Sequence, residues 1–148
     1  MSAAERRAIH RRWLEALLRD RNDCALEQWF SPGHVLHQTL GEVAPGPRGL
    51  RRALQRLGGI FNEWMVEVVD QCASGDRVMT RFKAHARHGG AIGPMRATGR
   101  WLSFQALLSS RFIDEVAYES WLEVDVLDAL MAIDAVAVRA AFATPKEP

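Results

Sequence analysis

Five carboxylates lie within the stretch "RFIDEVAYESWLEVD", and each of them has the chemistry to move a proton: Asp114, Glu115, Glu119, Glu123 and Asp125. A carboxylate serves as a catalytic acid or base only where its surroundings bring its pKa close to the working pH. Asp114 and Glu115 are typical of a solvated turn. Glu119 and Glu123 alternate with Trp121, so all three should lie on the outer side of a strand. A surface or dimer contact therefore explains these two glutamates better than catalysis does.

Asp125 stands where a final helix should begin, and Asp128 follows three positions later. A side-chain oxygen at this place accepts hydrogen bonds from the first free N–H groups of the helix. Helix capping thus explains Asp125 better than proton transfer, although Asp125 stays a weak catalytic candidate.

Two histidines, His37 and His88, are the other candidates for catalysis. Each lies at the end of a predicted strand, and His88 lies on its apolar side. A histidine titrates near neutral pH, so either one could act as a base or hydrogen-bond a ligand carbonyl. A structural role, such as anchoring a loop, is the competing interpretation for both. The remaining histidines are expected to face water: His10, His34 and His85.

Metal and cofactor chemistry finds no support in the sequence. No H-x-H or H-E-x-x-H pattern and no acidic cluster is present, and "GGAIGPMRATG" lacks the Lys and the following helix of a phosphate-binding loop. Cys24 and Cys72 lie far apart in unlike surroundings, which favours buried, reduced thiols over a disulfide or a metal site. We therefore expect no metal and no cofactor.

Composition favours one globular domain over residues 1–148. Of the 148 residues, 48% are hydrophobic, which is enough for one sizeable core. Nineteen basic and eighteen acidic residues leave a net charge of +1, so neither a nucleic acid nor a membrane surface is an expected partner. The N-terminal stretch is charged from Glu5 onward and lacks the apolar segment of a signal peptide, which predicts a cytoplasmic protein.

The hydrophobic pattern predicts helices first and a sheet afterwards. Apolar residues at helical spacing predict a helix over about residues 4–21, and a short second helix should end at Pro32 and Gly33. "HVLHQTL" should form the first strand, and a third helix should end near Phe61. From Trp64 the period changes to two, which predicts an antiparallel meander of four strands. A last helix with an Ala-rich extension closes the chain, and residues 143–148 should form a frayed tail. This order is that of an α+β domain.

The last hairpin decides which side chains face the interior. On one strand the inward set would be Ala106, Leu108, Ser110 and Phe112. On the next strand it would be Val116, Tyr118, Ser120, Leu122 and Val124. The two sets share a sheet face only if the hairpin loop has an odd number of residues. We therefore predict a loop of three residues, which makes that face almost uniformly apolar.

Several motifs together resemble the SnoaL-like family of polyketide and ester cyclases, which has the nuclear transport factor 2-like fold. They are "SGDRVMTRF", "RHGG", "ATGR" and "RFIDEVAYESWLEVDVLDAL", in the family's order and spacing over about residues 5–135. The resemblance implies a cone of helices packed on a curved antiparallel sheet. It also implies a deep apolar pocket and a homodimer formed through the outer side of the sheet. His88 matches the family's His-Gly loop, and His37 occupies a place where the family often has His or Asn.

The resemblance also bears on catalysis. The family's acid/base Asp sits eleven residues after the Arg of its R-[IF]-x-D motif, and a supporting His sits three residues before that Arg. Counted from Arg111, these positions are Leu122 and Leu108, and neither side chain can transfer a proton. The expected lining of the pocket is Trp64, Phe82, Phe104, Leu108, Phe112, Tyr118, Ser120 and Leu122.

Two functions stay open from the sequence. One is a pocket protein that acts on a small hydrophobic carbonyl or polyketide-like compound without the usual dyad. The other is a non-catalytic member of the same fold that binds a ligand or a partner protein. Fold resemblance does not decide between them.

Overall fold

Helices and strands follow each other in the predicted order in the computed structural model, which describes residues 1–39 and 41–133. The helices are α1 (Ala3–Leu14), α2 (Leu26–Trp29), α3 (Gly46–Ile60) and α4 (Val126–Ile133), and a π-helical segment (Glu15–Arg19) extends α1. The strands are β1 (Phe30–His37), β2 (Phe61–Ser74), β3 (Arg77–His88), β4 (Trp101–Ile113) and β5 (Val116–Val124). The predicted frayed tail and most of the Ala-rich extension lie outside the described residues.

The five strands form one curved, open sheet in the order β1-β5-β4-β3-β2. Strands β2 to β5 are a meander of antiparallel neighbours, whereas β1 pairs with β5 in parallel. The helices pack on one face of this sheet, which confirms the predicted α+β class. In the described part of the chain no helix is long and apolar enough to cross a membrane.

The first helix begins with a capping box that was not predicted from the sequence. The Ser2 hydroxyl accepts the backbone N–H of Glu5, and the Glu5 carboxylate accepts the backbone N–H of Ser2. The inward stripe of α1 then buries His10, Trp13 and Leu14. The predicted helix over residues 4–21 is therefore present, but its last part is wound as a π-helix.

The first strand begins earlier than predicted. Helix α2 ends at Trp29, and β1 already starts at Phe30, so Pro32 and Gly33 lie inside the strand instead of ending a helix. The pairing with β5 shifts between Phe30 and Val35, which leaves Pro32 and Gly33 out of the regular ladder. Because β1 is an edge strand, the missing N–H of Pro32 is tolerated there.

The last hairpin corrects the predicted three-residue loop. Ile113 pairs directly with Val116, so the turn contains two residues, and Asp114 adopts a positive φ of 55°. A β-bulge at Tyr118 supplies the one extra residue that brings the inward side chains of β4 and β5 to the same face. Phe112 pairs with Ala117, whereas Arg111 pairs with Glu119, so Tyr118 has no partner in the ladder. Beyond the bulge, Leu108 faces Leu122, as the sequence predicted.

Two apolar clusters form the core between sheet and helices. The first cluster lies on the inner face of the sheet and contains Leu14, Trp64, Phe82, Ala84, Ala86, Leu102, Phe104, Ala106 and Ile133. The second cluster packs α1 and α3 against the β1 end of the sheet and contains Trp13, Leu26, Phe30, Leu50, Val78, Phe112 and Ala117. Full burial of one such large side chain contributes about 1.5–3 kcal/mol.

The fold places Asp125 at the start of α4. Its Oδ1 accepts the backbone N–H of Asp128 at 3.0 Å, and its own N–H donates to the Gln105 carbonyl at 2.9 Å. Asp125 is exposed, so the structure supports the predicted helix cap.

We expect Asp125→Ala to lower the free energy of unfolding by about 1 kcal/mol, the usual cost of losing a helix cap. Asp125→Asn keeps an acceptor at the same place and should unfold like the wild type. Urea titrations followed by circular dichroism measure both variants. Equal loss of stability in the two variants would contradict the capping role.

Candidate functional site

Five of the eight residues predicted to line a pocket come together on the inner face of the sheet. Trp64, Phe82 and Phe104 belong to the first cluster, and Leu108 and Leu122 pack against it. Alternation along β2, β3, β4 and β5 brings them to one side. The Trp64 indole N–H donates to the Phe61 carbonyl at 3.1 Å, which fixes the ring edge-on to Phe104.

The other three predicted lining residues lie elsewhere. Phe112 is buried in the second cluster, and Ser120 is buried in a hydrogen-bonded chain described below. Tyr118 is the bulged residue, so its side chain does not follow the inward alternation of Ser120 and Leu122. Its hydroxyl donates to Asp76 at 3.0 Å and, together with Arg111, holds the pKa of that carboxyl below its ordinary value.

His88 is the one predicted catalytic candidate that the structure places in the interior. The end of β3 carries it, and its side chain is 0% exposed. The backbone N–H of Thr98 donates to His88 Nδ1 at 3.3 Å, and the Thr98 hydroxyl lies 3.0 Å from the same atom. A backbone N–H can only donate, so Nδ1 is the acceptor nitrogen and the ring proton sits on Nε2. Within the described residues, that Nε2 has no hydrogen-bond partner.

The loop after His88 is pressed against the end of α3. The amides of Gly89 and Gly90 donate to the Ile60 carbonyl at 3.0 and 2.9 Å. A Cβ on Gly90 would lie 1.7 Å from the Gly59 carbonyl oxygen, so only glycine fits there. Sequence reasoning missed Thr98, although the "ATGR" motif contains it, because nothing in the sequence links that motif to His88.

His37 lies on the opposite side of the sheet from His88. It is exposed, its Nε2 is 2.9 Å from Glu119 Oε1, and its ring stacks on Trp121 with centroids 5.1 Å apart. Arg77 lies over the Trp121 ring, and Arg111 is 3.8 Å from Glu119. The predicted outer position of Glu119 and Trp121 agrees with this arrangement. His37 therefore contacts surface residues and lies away from the first cluster.

Two histidines expected to face water are buried instead. His10 is 0% exposed because it lies on the inward stripe of α1, where its Nδ1 is 2.8 Å from the Thr80 hydroxyl. His34 is 1% exposed on the inner side of β1. Burial lowers the pKa of His10 to about 3 and that of His34 to about 4. Only His85, on the outer side of β3, is partly exposed as predicted.

His34 begins a chain of buried hydrogen bonds across three strands. Its Nε2 is 2.9 Å from the Ser120 hydroxyl, which is 2.8 Å from the Ser110 hydroxyl. A serine beside a neutral histidine has the chemistry of a nucleophile and its base. All three side chains are at most 1% exposed, however, and neither cavity described below touches them. The chain thus ties β1, β5 and β4 together.

Both cysteines are exposed, which corrects the expectation that they are buried. Cys72 lies opposite Met79 on the outer side of β2, and Cys24 lies in the loop before α2. Across residues 1–39 and 41–133, no group of three or more His, Cys, Asp or Glu side chains converges as a metal site would require.

Two of the cavities that described residues line border α3. The larger has a volume of about 550 Å³ and is lined by Glu42, Ala44, Gly49, Arg52, Gln55 and Arg56. The smaller has about 100 Å³ and is lined by Leu17, Leu18, Arg21, Asp23, Leu54, Gln55, Leu57, Gly58 and Trp64. Through Trp64, the smaller cavity borders the first cluster.

Known structures define the class of this fold. AclR from Streptomyces galilaeus is 23% identical over 98% of this chain and 87% of its own, with a TM-score of 0.77. TsrD from Streptomyces laurentii is 20% identical over 92% of this chain and 99% of its own, with a TM-score of 0.80. IdmH from Streptomyces antibioticus is 25% identical over 80% and 91%, with a TM-score of 0.69. The fold is the nuclear transport factor 2-like α+β fold.

The sequence pattern of the SnoaL-like polyketide cyclase family matches residues 8–133. The chain therefore belongs to that family, as the motifs indicated. No curated protein matches the chain.

The buried histidines predict a loss of stability in acid. In the unfolded chain each histidine binds a proton below about pH 6.5, whereas the folded protein keeps His10 and His34 neutral to about pH 3 and 4. The stability of the fold with these neutral histidines is therefore fully present above the unfolded pKa. It is lost as the pH falls from about 6.5 towards the folded pKa values. For each of the two histidines, we expect the free energy of unfolding to fall by about 2 kcal/mol between about pH 7.5 and pH 5.

Urea titrations across this pH range measure the effect. His34→Gln should flatten the decline, because the amide does not titrate and can still bond Ser120. The matched control is His85→Gln on the outer face, which should keep the wild-type pH dependence. Identical profiles for wild type and His34→Gln would overturn the assignment.

Proposed function

We propose that this chain binds a small hydrophobic carbonyl compound, polyketide-like in character, against the first cluster, and that the His88 Nε2–H donates a hydrogen bond to its carbonyl oxygen. The observation that carries the proposal is the unpartnered, fully buried Nε2–H of a histidine whose other nitrogen is already bonded. Membership of the SnoaL-like polyketide cyclase family supports the class of ligand.

The energetics of His88 favour a polar ligand atom beside it. A buried N–H without an acceptor costs about 1–3 kcal/mol relative to the same group in water. A carbonyl oxygen on an otherwise apolar ligand would remove that cost, while the rest of the ligand meets Phe82, Phe104 and their neighbours. The apolar cluster would thus bind the body of the ligand, and His88 would orient it.

The tautomer of His88 also limits the chemistry. An imidazole with its proton on Nε2 can polarise a carbonyl or protonate a developing alkoxide, but it cannot remove a proton through that nitrogen. We infer that the family's acid/base Asp and its supporting His are replaced by Leu122 and Leu108. The cross-strand pairing of these two leucines supports the inference, since an Asp and a His paired in this way would be neighbours.

Binding without turnover is the second candidate function, and the Leu108–Leu122 pair favours it. A non-catalytic member of the family would hold a ligand or a partner protein on the same scaffold. Native mass spectrometry of freshly purified protein separates the candidates. Because ring closure by aldol addition leaves the mass unchanged, the bound molecule is also released and chromatographed. Constant mass and constant retention time on incubation indicate binding alone, whereas a change in either indicates catalysis.

A matched pair of probes tests the hydrogen bond of His88. We expect 2-acetylnaphthalene, a ketone, to bind about tenfold more tightly than 2-isopropenylnaphthalene, which has nearly the same shape with a CH2 group in place of the carbonyl oxygen. His88→Phe should abolish this preference because it removes the donor. His37→Ala, on the outer face, should leave it unchanged. Fluorescence titration or calorimetry gives the six affinities.

The infrared spectrum of the bound ketone keeps the test decisive if His88→Phe fails to fold. In the wild type the carbonyl stretch should move to lower frequency than in an apolar solvent, as a hydrogen bond requires. A ketone bound with an unshifted stretch would contradict the proposal, and so would a preference that survives in folded His88→Phe.

We also propose that two copies of the chain associate through the outer face of the sheet. Large apolar side chains on this face are exposed to solvent: Met65 is 55%, Met79 40%, Trp101 47% and Leu107 39% exposed. The outer face carries arginines and glutamates around them, as the rim of a protein interface does.

Sedimentation at micromolar concentration tests the association. We expect the mass of a dimer for the wild type and the mass of a monomer for Leu107→Glu, because a charge would be buried in the apolar centre of the interface. Arg12→Glu changes the charge at an exposed position of α1, away from the outer face of the sheet, and is the control. A wild-type monomer would refute the proposed dimer.

A further inference from the structure

The π-helical segment ends in an unusual way at Arg21. The backbone N–H of Asn22 donates to the Ala16 carbonyl at 2.8 Å, and the N–H of Asp20 donates to the Glu15 carbonyl at 3.0 Å. Arg21 lies between these two bonds with a φ of 53°. This is the position just past a helix end where the chain turns left-handed, and glycine is the residue that takes this conformation without strain.

The side chain of Arg21 lies at the rim of the smaller cavity. Leucines from the π-helical segment and from α3 form the walls of this cavity, and Trp64 also lines it: Leu17, Leu18, Leu54 and Leu57. A Cβ on Gly58 would lie 2.5 Å from Arg21 Nη2, so the absence of a side chain at Gly58 leaves space for the guanidinium above α3.

The charge at this rim is positive. Asp23 also lines the cavity, but its carboxylate accepts the Arg51 Nε–H at 3.0 Å, and Arg51 also contacts Glu27 at 2.8 Å. These three groups form an ion-pair cluster of their own. Arg21 has no carboxylate partner among the residues that the structure describes.

We propose that the smaller cavity is the mouth of the ligand site and that Arg21 selects ligands carrying a carboxylate. The inference rests on the proposed function, since it adds an acidic group to the hydrophobic carbonyl compound. Arg21 is exposed, and a guanidinium matches a carboxylate with two parallel N–H···O bonds. The carboxylate stays at Arg21 while the apolar part extends past Leu54 and Leu57 towards Trp64.

The residue type at position 21 supports a role in binding. A purely structural helix end would be served better by glycine, because a side chain in the left-handed region costs free energy. Arginine at this position is therefore explained by what its side chain binds. Trp64 lines the same cavity, so a ligand bound there would contact its indole ring. Binding should for that reason change the fluorescence of Trp64.

Two probes that differ only in the carboxylate test the proposal. We expect 6-acetyl-2-naphthoate to bind the wild type about tenfold more tightly than 2-acetylnaphthalene. Arg21→Gln and Arg21→Gly should bind both probes equally. Arg11→Gln removes the same charge from an exposed site on α1 and should keep the tenfold preference. Gly58→Ala should reduce the preference, because its methyl group displaces the guanidinium.

Stability separates a binding role from a structural one. Arg21→Gly should melt at the same temperature as the wild type or higher, since glycine relieves the left-handed strain. Lost preference with unchanged or raised stability supports the proposal. A clear fall in melting temperature in Arg21→Gly would assign Arg21 a structural role and overturn it.

The outcomes also separate this inference from the proposed function. Suppose that the ketone binds more tightly than the hydrocarbon probe, that this preference depends on His88, and that the acid binds no better than the ketone. The proposed role of Arg21 is then wrong, and the proposed function stands. The same conclusion follows if Arg21→Gln keeps the preference. If neither probe binds the wild type, the proposed function fails and this inference fails with it.

Discussion

The pairing of β4 with β5 is the constraint on which the interior of this protein depends. A two-residue turn alone would place Leu108 opposite Trp121, and the sheet would carry a tryptophan and two glutamates on its inner face. The single extra residue at Tyr118 shifts the ladder by one, so that Ser110 meets Ser120 and Leu108 meets Leu122. Both apolar clusters and the outer ion pairs of Glu119 follow from that shift.

The bulge is held in place by the charges around it. The Tyr118 hydroxyl donates to Asp76, which sits in the turn between β2 and β3, and Arg111 bonds the same carboxylate. Arg111 also lies over the Tyr118 ring, with its Cζ 5.1 Å from the ring centroid. One aspartate thus connects two hairpins, and the motif that identifies the family in the sequence contains the residues that set its register.

Periodicity was sufficient for the elements and for most of the inner face, because alternation along β3 and β4 is strict and leaves one choice of side. It was insufficient where the structure depends on one residue more or less. The bulge at Tyr118 and the strand through Pro32 and Gly33 involve hydrogen bonds that no periodic pattern encodes. His10 and His34 were misplaced for another reason: their burial depends on distant acceptors, Thr80 and Ser120, that only the fold brings near.

The first strand also affects how the protein behaves among other copies of itself. A strand at the border of an open sheet offers free N–H and C=O groups to any extended chain that it meets. In β1, Pro32 has no N–H to offer, and the irregular pairing around Gly33 interrupts the row of acceptors. The proline that obscured this strand in the sequence therefore makes the β1 edge a poorer template for a further strand.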